Sequence, residues 1–256
     1  MFQVILKSGK DASVRRFHPW VFSGAIKKIK TEEGRESDPQ EGDTVRVTDN
    51  KGNFLGTGHY QNGSIMVRIL TFKEEEINES FWTERIQEAY DLRAQLNLTN
   101  NEQTNIYRLI HAEGDGLPGL IIDYYAGTAV IQSHSIGMHY AKENIVTALK
   151  NVYGDSLKAI FDKSADTLPK NGPVQIEDNY IYQSEGYSSI GLEHGCQFKI
   201  DWEQGQKTGF FIDQRENRAL LGSYSKDKTV LNTFCYTGGF SLAALNAGAT
   251  HVDSVD

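Results

Sequence analysis

The sequence predicts a mixed α/β chain built of three consecutive blocks, and three observations carry that prediction. Short alternating strands between closely spaced turns fill the first 72 residues. A helical apolar stripe opens just after Lys73-Glu74-Glu75-Glu76. The stretch Val230 to Asp256 reads as a strand, a glycine turn, a helix and a second strand.

In the first block, residues 1–72, Val45-Arg46-Val47 and Ile65-Met66-Val67-Arg68-Ile69-Leu70 alternate with the period of a half-buried strand. The turns Glu41-Gly42-Asp43, Asp49-Asn50-Lys51-Gly52 and Gln61-Asn62-Gly63 separate them. Turns this close together favour a compact β-barrel over a parallel sheet.

The second block, residues 73–195, is α+β. Phe81, Trp82, Ile86, Ala89, Tyr90 and Leu96 recur at helical spacing. Strands are expected at Tyr107–His111, Leu120–Tyr125, Ala129–Gln132 and Ala159–Phe161, with a helix over 138–153 that Gly154 ends. The turn Glu113-Gly114-Asp115-Gly116-Leu117-Pro118-Gly119 joins the first two strands.

In the third block, residues 196–256, a short strand at Phe198–Ile200 precedes Gly205-Gln206-Lys207-Thr208-Gly209-Phe210-Phe211. A helix is expected from Asp213, with Asp213 and Glu216 spaced as a capping box. Thr229–Phe234 is apolar and β-branched enough for a buried parallel strand. Cys235-Tyr236-Thr237-Gly238-Gly239 turns into a helix over Leu242–Ala247, and His251–Asp256 forms the next strand.

Composition narrows the function classes. With 39% hydrophobic and 23% charged residues the chain has the make-up of an ordinary globular protein. No run nears the roughly 18 apolar residues of a membrane span, and Met1-Phe2-Gln3-Val4 does not open a secretory signal. Two isolated cysteines, Cys196 and Cys235, point to a reducing cytoplasm and lack metal-ligand spacing. A net charge of −8 argues against a chain coated in nucleic acid, yet residues 1–30 carry seven Lys and Arg against Asp11 alone. Such a basic patch suits phosphate contacts.

The third block carries the chemistry. Gly238 and Gly239 remove side chains where a ligand approaches the amides of a helix N-terminus. Asp256 lies 18 residues beyond Gly238, near the roughly 20 expected of an acid that binds a ribose diol. A dinucleotide needs G-x-G-x-x-G, which is missing, so a nicotinamide-linked oxidoreductase is disfavoured. The turn suits adenosine joined to an amino acid: S-adenosylmethionine (SAM).

Residues 205–218, GQKTGFFIDQRENR, followed by Val230–Phe240, VLNTFCYTGGF, resemble the class I SAM-dependent methyltransferases of the large-subunit rRNA cytosine-5 type. His18-Pro19-Trp20-Val21-Phe22-Ser23-Gly24-Ala25-Ile26 resembles the RNA-binding PUA barrel at the N-terminus of these enzymes. Residues 113–123, EGDGLPGLIID, resemble their central domain. The resemblance implies a PUA-like domain, a central α+β domain and the start of a Rossmann-like methyltransferase sheet. It implies a SAM pocket of Asn232, Phe234, Tyr236, Gly238 and Phe240, with Asp256 on the ribose. Gln206, Thr208, Phe210 and Arg215 would lie beside the cofactor, Arg215 as the charged contact. Lys7, Arg15, Arg16 and His18 become RNA contacts.

The family activates cytosine with a cysteine that adds to C6, and this cysteine and an Asp-Pro-Pro-type motif lie downstream of the second strand. Neither Cys196 nor Cys235 matches it, so no catalytic residue is assigned. The expectation is therefore the N-terminal part of a longer enzyme, inactive by itself. A second reading is a non-catalytic RNA-binding protein whose partial third block serves as scaffold or homodimer surface.

Overall fold

The structure, a computed structural model, describes residues 1–256 apart from Glu32, Glu36 and 170–173. Six strands make up the first block: β1 (Phe2–Leu6), β2 (Trp20–Phe22), β3 (Ile26–Thr31), β4 (Thr44–Thr48), β5 (Phe54–Tyr60) and β6 (Ile65–Thr71). They pair in the order β2-β6-β5-β4-β1-β3, with β1 parallel to β4 and every other pair antiparallel. All six strands send side chains into one core, among them Val4, Leu6, Val21, Ile29, Val45, Val47, Leu55, Val67 and Ile69. A flat sheet could not gather them. The sheet therefore curls, and among the described residues its end strands β2 and β3 do not pair, leaving the barrel open.

Helix α1 (Glu79–Gln95) begins where Asn78 accepts the Phe81 amide at 3.1 Å. Strands β7 (Ile106–His111), β8 (Leu120–Tyr125) and β9 (Thr128–Ser133) follow, then helices α2 (Ile136–Tyr140) and α3 (Lys142–Tyr153). Strands β10 (Ala159–Asp162) and β11 (Asn179–Gln183) complete a sheet of order β11-β10-β9-β8-β7. The single helix expected over 138–153 is thus two, meeting at Ala141. Helices α1 and α3 cover one face of the sheet and bury Trp82, Ile86, Leu109, Ile122, Ile145 and Leu149. Each side chain of that size stabilises by about 1.5–3 kcal/mol when fully buried. The Glu113–Gly119 turn has a structural duty. Asp115 takes the Arg93 guanidinium in two bonds of 2.5 and 2.8 Å and the His111 amide at 2.5 Å, which ties α1 to the β7–β8 connection.

The sheet's opposite face is also covered. Ile106, Tyr125, Val130 and Phe161 from the sheet pack against Phe198, Ile200, Trp202, Phe210 and Ile212. The hairpin β12 (Ile190–Glu193) and β13 (Cys196–Lys199) leads into that segment. Then come α4 (Arg215–Ser225), β14 (Thr229–Thr233), α5 (Gly239–Asn246) and β15 (His251–Val255). Strands β14 and β15 pair in parallel from Thr229↔His251 to Thr233↔Val255, the arrangement that needs a crossover helix. The capping box expected at Asp213 and Glu216 does not form. Asp213 sits inside a 3-10 turn, Ile212–Gln214, and α4 starts after Gln214 without a side-chain cap. Tertiary anchoring of Arg215 and Arg218 fixes this helix start instead.

Candidate cofactor site

The β14–α5 turn is the most contorted backbone of the third block. Phe234, Tyr236 and Gly238 adopt φ values of 60, 47 and 75°, so two bulky residues occupy the left-handed region along with the glycine. Such strain persists only where surrounding contacts enforce it. Tyr236 supplies them. Its amide donates to Asp256 Oδ1 at 3.1 Å, its hydroxyl accepts the Gln206 amide at 3.1 Å, and its ring meets Phe211 edge-on at 5.3 Å. One side chain thus joins the end of β15, the turn, and the loop 205–211.

Between them lies a cavity of about 420 Å³, lined by Gln206, Phe210, Phe211, Gln214, Arg218, Phe234, Cys235, Tyr236, Thr237, Gly239, Phe240 and Asp256. That volume lies within the range of small-molecule sites. Gly238 caps α5 without a side-chain bond, so the first amides of the helix remain for an anionic ligand group. Asp256 uses only Oδ1 for Tyr236, which leaves Oδ2 for a ligand hydroxyl. Aromatic walls, a helix N-terminus and a carboxylate fit a cofactor made of adenosine and an amino-acid end.

Of the residues expected here, Gln206, Phe210, Phe234, Tyr236, Phe240 and Asp256 line the cavity, and Gly238 adjoins it as the α5 cap. Three do not. Asn232 donates to Ser241 Oγ at 2.8 Å, and Ser241 meets Ser254 Oγ at 2.7 Å, so Asn232 laces β14, α5 and β15 together. Thr208 is fully buried and faces away, donating to Asp123 at 2.5 Å. Arg215 donates to the Ile106 carbonyl at 2.6 Å, and burial holds its pKa below the usual guanidinium value.

The cation on the wall is instead Arg218, which sequence reasoning missed. Its guanidinium is forked onto Glu193 at 2.6 and 2.7 Å and stacks over Phe210 at 4.7 Å. Glu193 neutralises it, so Arg218 shapes the wall more than it charges it. Phe211, Gln214, Cys235 and Thr237 were also missed, although all lie within the two quoted motifs, whereas Gly239, expected with Gly238 at the turn, does line the cavity.

The basic N-terminal residues share one region. Arg16 is exposed and closes a 3-10 turn, Val14–Arg16, whose Val14 is buried. Arg15 bridges Asp11 at 2.5 Å and Asp49 at 2.7 Å, and Lys7 donates to the Gly24 carbonyl at 2.9 Å. His18 accepts the Trp20 amide at 3.2 Å through Nδ1. Beside them the aromatic rings of Trp20 and Phe22 stand within 5.7 and 6.4 Å of the His18 ring, and Phe17 is 71% exposed. The period-2 spacing of His18, Trp20 and Phe22 carried that signal in the sequence.

Comparison with known proteins matches two parts of the chain to family models. Residues 4–72 match the family model of a PUA-like domain. Residues 185–256 match that of an S-adenosylmethionine-dependent methyltransferase. The cofactor expected from the sequence is the one that this second model names. A ribosomal RNA large subunit methyltransferase I from Shewanella amazonensis is 39% identical over 257 residues, covering 99% of this chain. Its counterpart from Alteromonas mediterranea is 39% identical over 256 residues. The chain spans 62% of the length of each of these relatives. Among solved structures, a candidate SAM-dependent methyltransferase from Streptococcus mutans superposes with a TM-score of 0.78 at 24% identity, over 100% of this chain and 63% of its own. SMU.776, a candidate methyltransferase complexed with SAH, gives 0.80 at 23%, with the same coverage. These likenesses show the mixed α/β fold. Among the described residues, no helix is long and apolar enough to cross a membrane, and no three His, Cys, Asp or Glu side chains cluster to hold a metal.

Proposed function

We propose that this chain is the RNA-binding and cofactor-binding part of a SAM-dependent methyltransferase acting on large-subunit rRNA, with C5 of a cytosine as the methylated atom. The observation that carries the reading is the cavity at the β14–α5 turn, where Asp256, the α5 amides and five aromatic side chains converge. The names of the relatives support rRNA as the substrate, and the motif resemblance supports cytosine C5.

In this reading Asp256 holds the ribose hydroxyls, and the amides after Gly238 meet the amino-acid carboxylate. Phe210, Phe234 and Phe240 enclose the apolar parts, and Gln206 and Tyr236 close the side nearest Asp256. Bound there, SAM supplies an electrophilic methyl group on a sulfonium. The chain's own contribution is to orient that group and exclude water around it. Burial raises the Cys196 thiol above its usual pKa, the opposite of what a nucleophile needs. We assign neither cysteine to catalysis.

Lys7, Arg15, Arg16 and His18 would contact RNA phosphates and bases. We divide the chain into a PUA-like block (1–72), a central α+β block (73–195) and the start of a Rossmann-like methyltransferase block (196–256). The β12–β13 hairpin straddles the second boundary.

Titration calorimetry with SAH tests the reading. The unsubstituted chain should bind, and Asp256→Ala should weaken binding at least tenfold. RNA binding without SAH binding would favour the non-catalytic RNA-binding alternative.

A further inference from the structure

The loop 205–211 has two faces. Gln206, Phe210 and Phe211 look into the cavity, while Thr208 points the other way into the β7–β11 sheet. Thr208 and Asp123 are both fully buried, next to the apolar cluster of Tyr125, Phe198, Trp202 and Phe210. A carboxylate there is tolerable only if fully partnered. Arg108 provides the partner, with bonds of 2.8 and 3.0 Å to the two Asp123 oxygens. Thr208 Oγ1 lies 2.5 Å from Asp123 Oδ2 and 2.8 Å from the Tyr125 hydroxyl. Thr208 has one proton, and the carboxylate can only accept it. Tyr125 must therefore donate to Thr208, and the chain of bonds has a single direction.

Further tethers bind the same stretch. Lys163 Nζ donates to the Gly205 carbonyl at 2.6 Å, and Gln132 Nε2 reaches the Lys207 carbonyl at 3.4 Å. Arg215 grips the Ile106 carbonyl just past the loop. Each of these anchors belongs to β7, β8, β9 or the residue after β10, whereas Tyr236 holds the loop from the cofactor side. A buried ionic group of this kind adds little net stability over an apolar replacement, but it admits one geometry.

We propose that the Arg108–Asp123–Thr208 chain makes the middle sheet a positioning platform for the cofactor-facing loop. Thr208 and Asp123 are then positioning residues, acting through Gln206 and Phe210 without touching the ligand. The proposal rests on the cofactor reading above, so its test separates the two. SAH is titrated into the unsubstituted chain and into the Thr208→Val, Thr208→Ser and Lys163→Met variants. Hydrogen exchange of residues 203–211 is followed without ligand. Tyr107→Phe, which breaks the Tyr107–Tyr153 hydroxyl pair in the sheet's other core, serves as a control for lost stability alone.

Thr208→Val should raise the SAH Kd about tenfold and speed exchange in the loop. Thr208→Ser, which keeps the hydroxyl, should stay within about threefold of the unsubstituted chain. Lys163→Met, which releases a second tether of the loop to the same sheet, should lose about fivefold and speed loop exchange; should Thr208→Val not fold, unchanged binding and exchange in Lys163→Met would overturn the proposal. Tyr107→Phe should bind normally. Unchanged binding and exchange in Thr208→Val, or equal losses in Thr208→Val and Thr208→Ser, would overturn the proposal. Absence of SAH binding by the unsubstituted chain would overturn the cofactor reading and this proposal together.

Discussion

Glu193→Gln probes the charge pair beneath the cavity. The Glu193 and Arg218 side chains are 3% and 4% exposed, so neither charge has water to fall back on. The substitution removes the negative partner of Arg218 and of Arg215, at 2.6 and 3.7 Å, and leaves both guanidinium groups without it. Breaking such a pair costs about 3–5 kcal/mol. Arg218 keeps the Phe211 carbonyl at 3.0 Å and its place over the Phe210 and Phe240 rings. These contacts put the expected loss near the lower end, about 3 kcal/mol, or more than a hundredfold in the folding equilibrium. Urea denaturation reads it as a lower midpoint at unchanged slope. The double variant Glu193→Gln/Arg218→Met removes the more deeply buried of the two stranded charges, leaving Arg215, 3.7 Å from Glu193, and should recover much of the loss. A single-variant cost below about 1 kcal/mol, or a double variant no better than the single, would refute the argument that desolvation governs this pair.

Three further outcomes are expected. His59 is buried with Nδ1 unpartnered among the described residues, stacked on Trp82 and near Arg68, and burial drops its pKa from 6.5 to about 4. The unfolded chain therefore takes up this proton first. Stability should fall as pH drops from about 6.5 through 4, by about 3 kcal/mol in all, and His59→Asn should flatten that part of the thermal-melting profile. Gly137 of α2 lies directly against the His59 ring, where a Cβ would collide with it; Gly137→Ala should cost about 1–3 kcal/mol by overpacking, read as a lower urea midpoint. In filter binding to rRNA fragments, Arg16→Ala should weaken affinity across sequences and reduce the log–log salt slope by about 1; an unchanged slope would remove Arg16 from the RNA surface.

The elements legible in the sequence were those whose signal is local. The β14–turn–α5–β15 unit announced itself because its glycines, its β-branched strand and its terminal acid lie within one short stretch. Helix α1 was legible from the recurrence of Phe81, Trp82, Ile86 and Ala89. Residues whose roles depend on distant partners were misplaced. Thr208 looks like a cofactor contact until Asp123, 85 positions away, claims its hydroxyl. Arg215 and Arg218 are equivalent by charge, and only the placement of Ile106 and Glu193 separates them. Nothing local to Arg15 reveals its second carboxylate partner, Asp49, 34 positions away. Strands β11 and β12 gave no clear alternation, since β11 is only half-buried and β12 contains Gly191, packed against Ile106.

The most direct test of the cofactor site is a crystal structure of this chain grown with SAH. Electron density is expected in the cavity at the β14–α5 turn, with the ribose hydroxyls on Asp256 and the amino-acid carboxylate on the amides following Gly238. Density elsewhere, or a cavity left empty at saturating SAH, would contradict the cofactor reading.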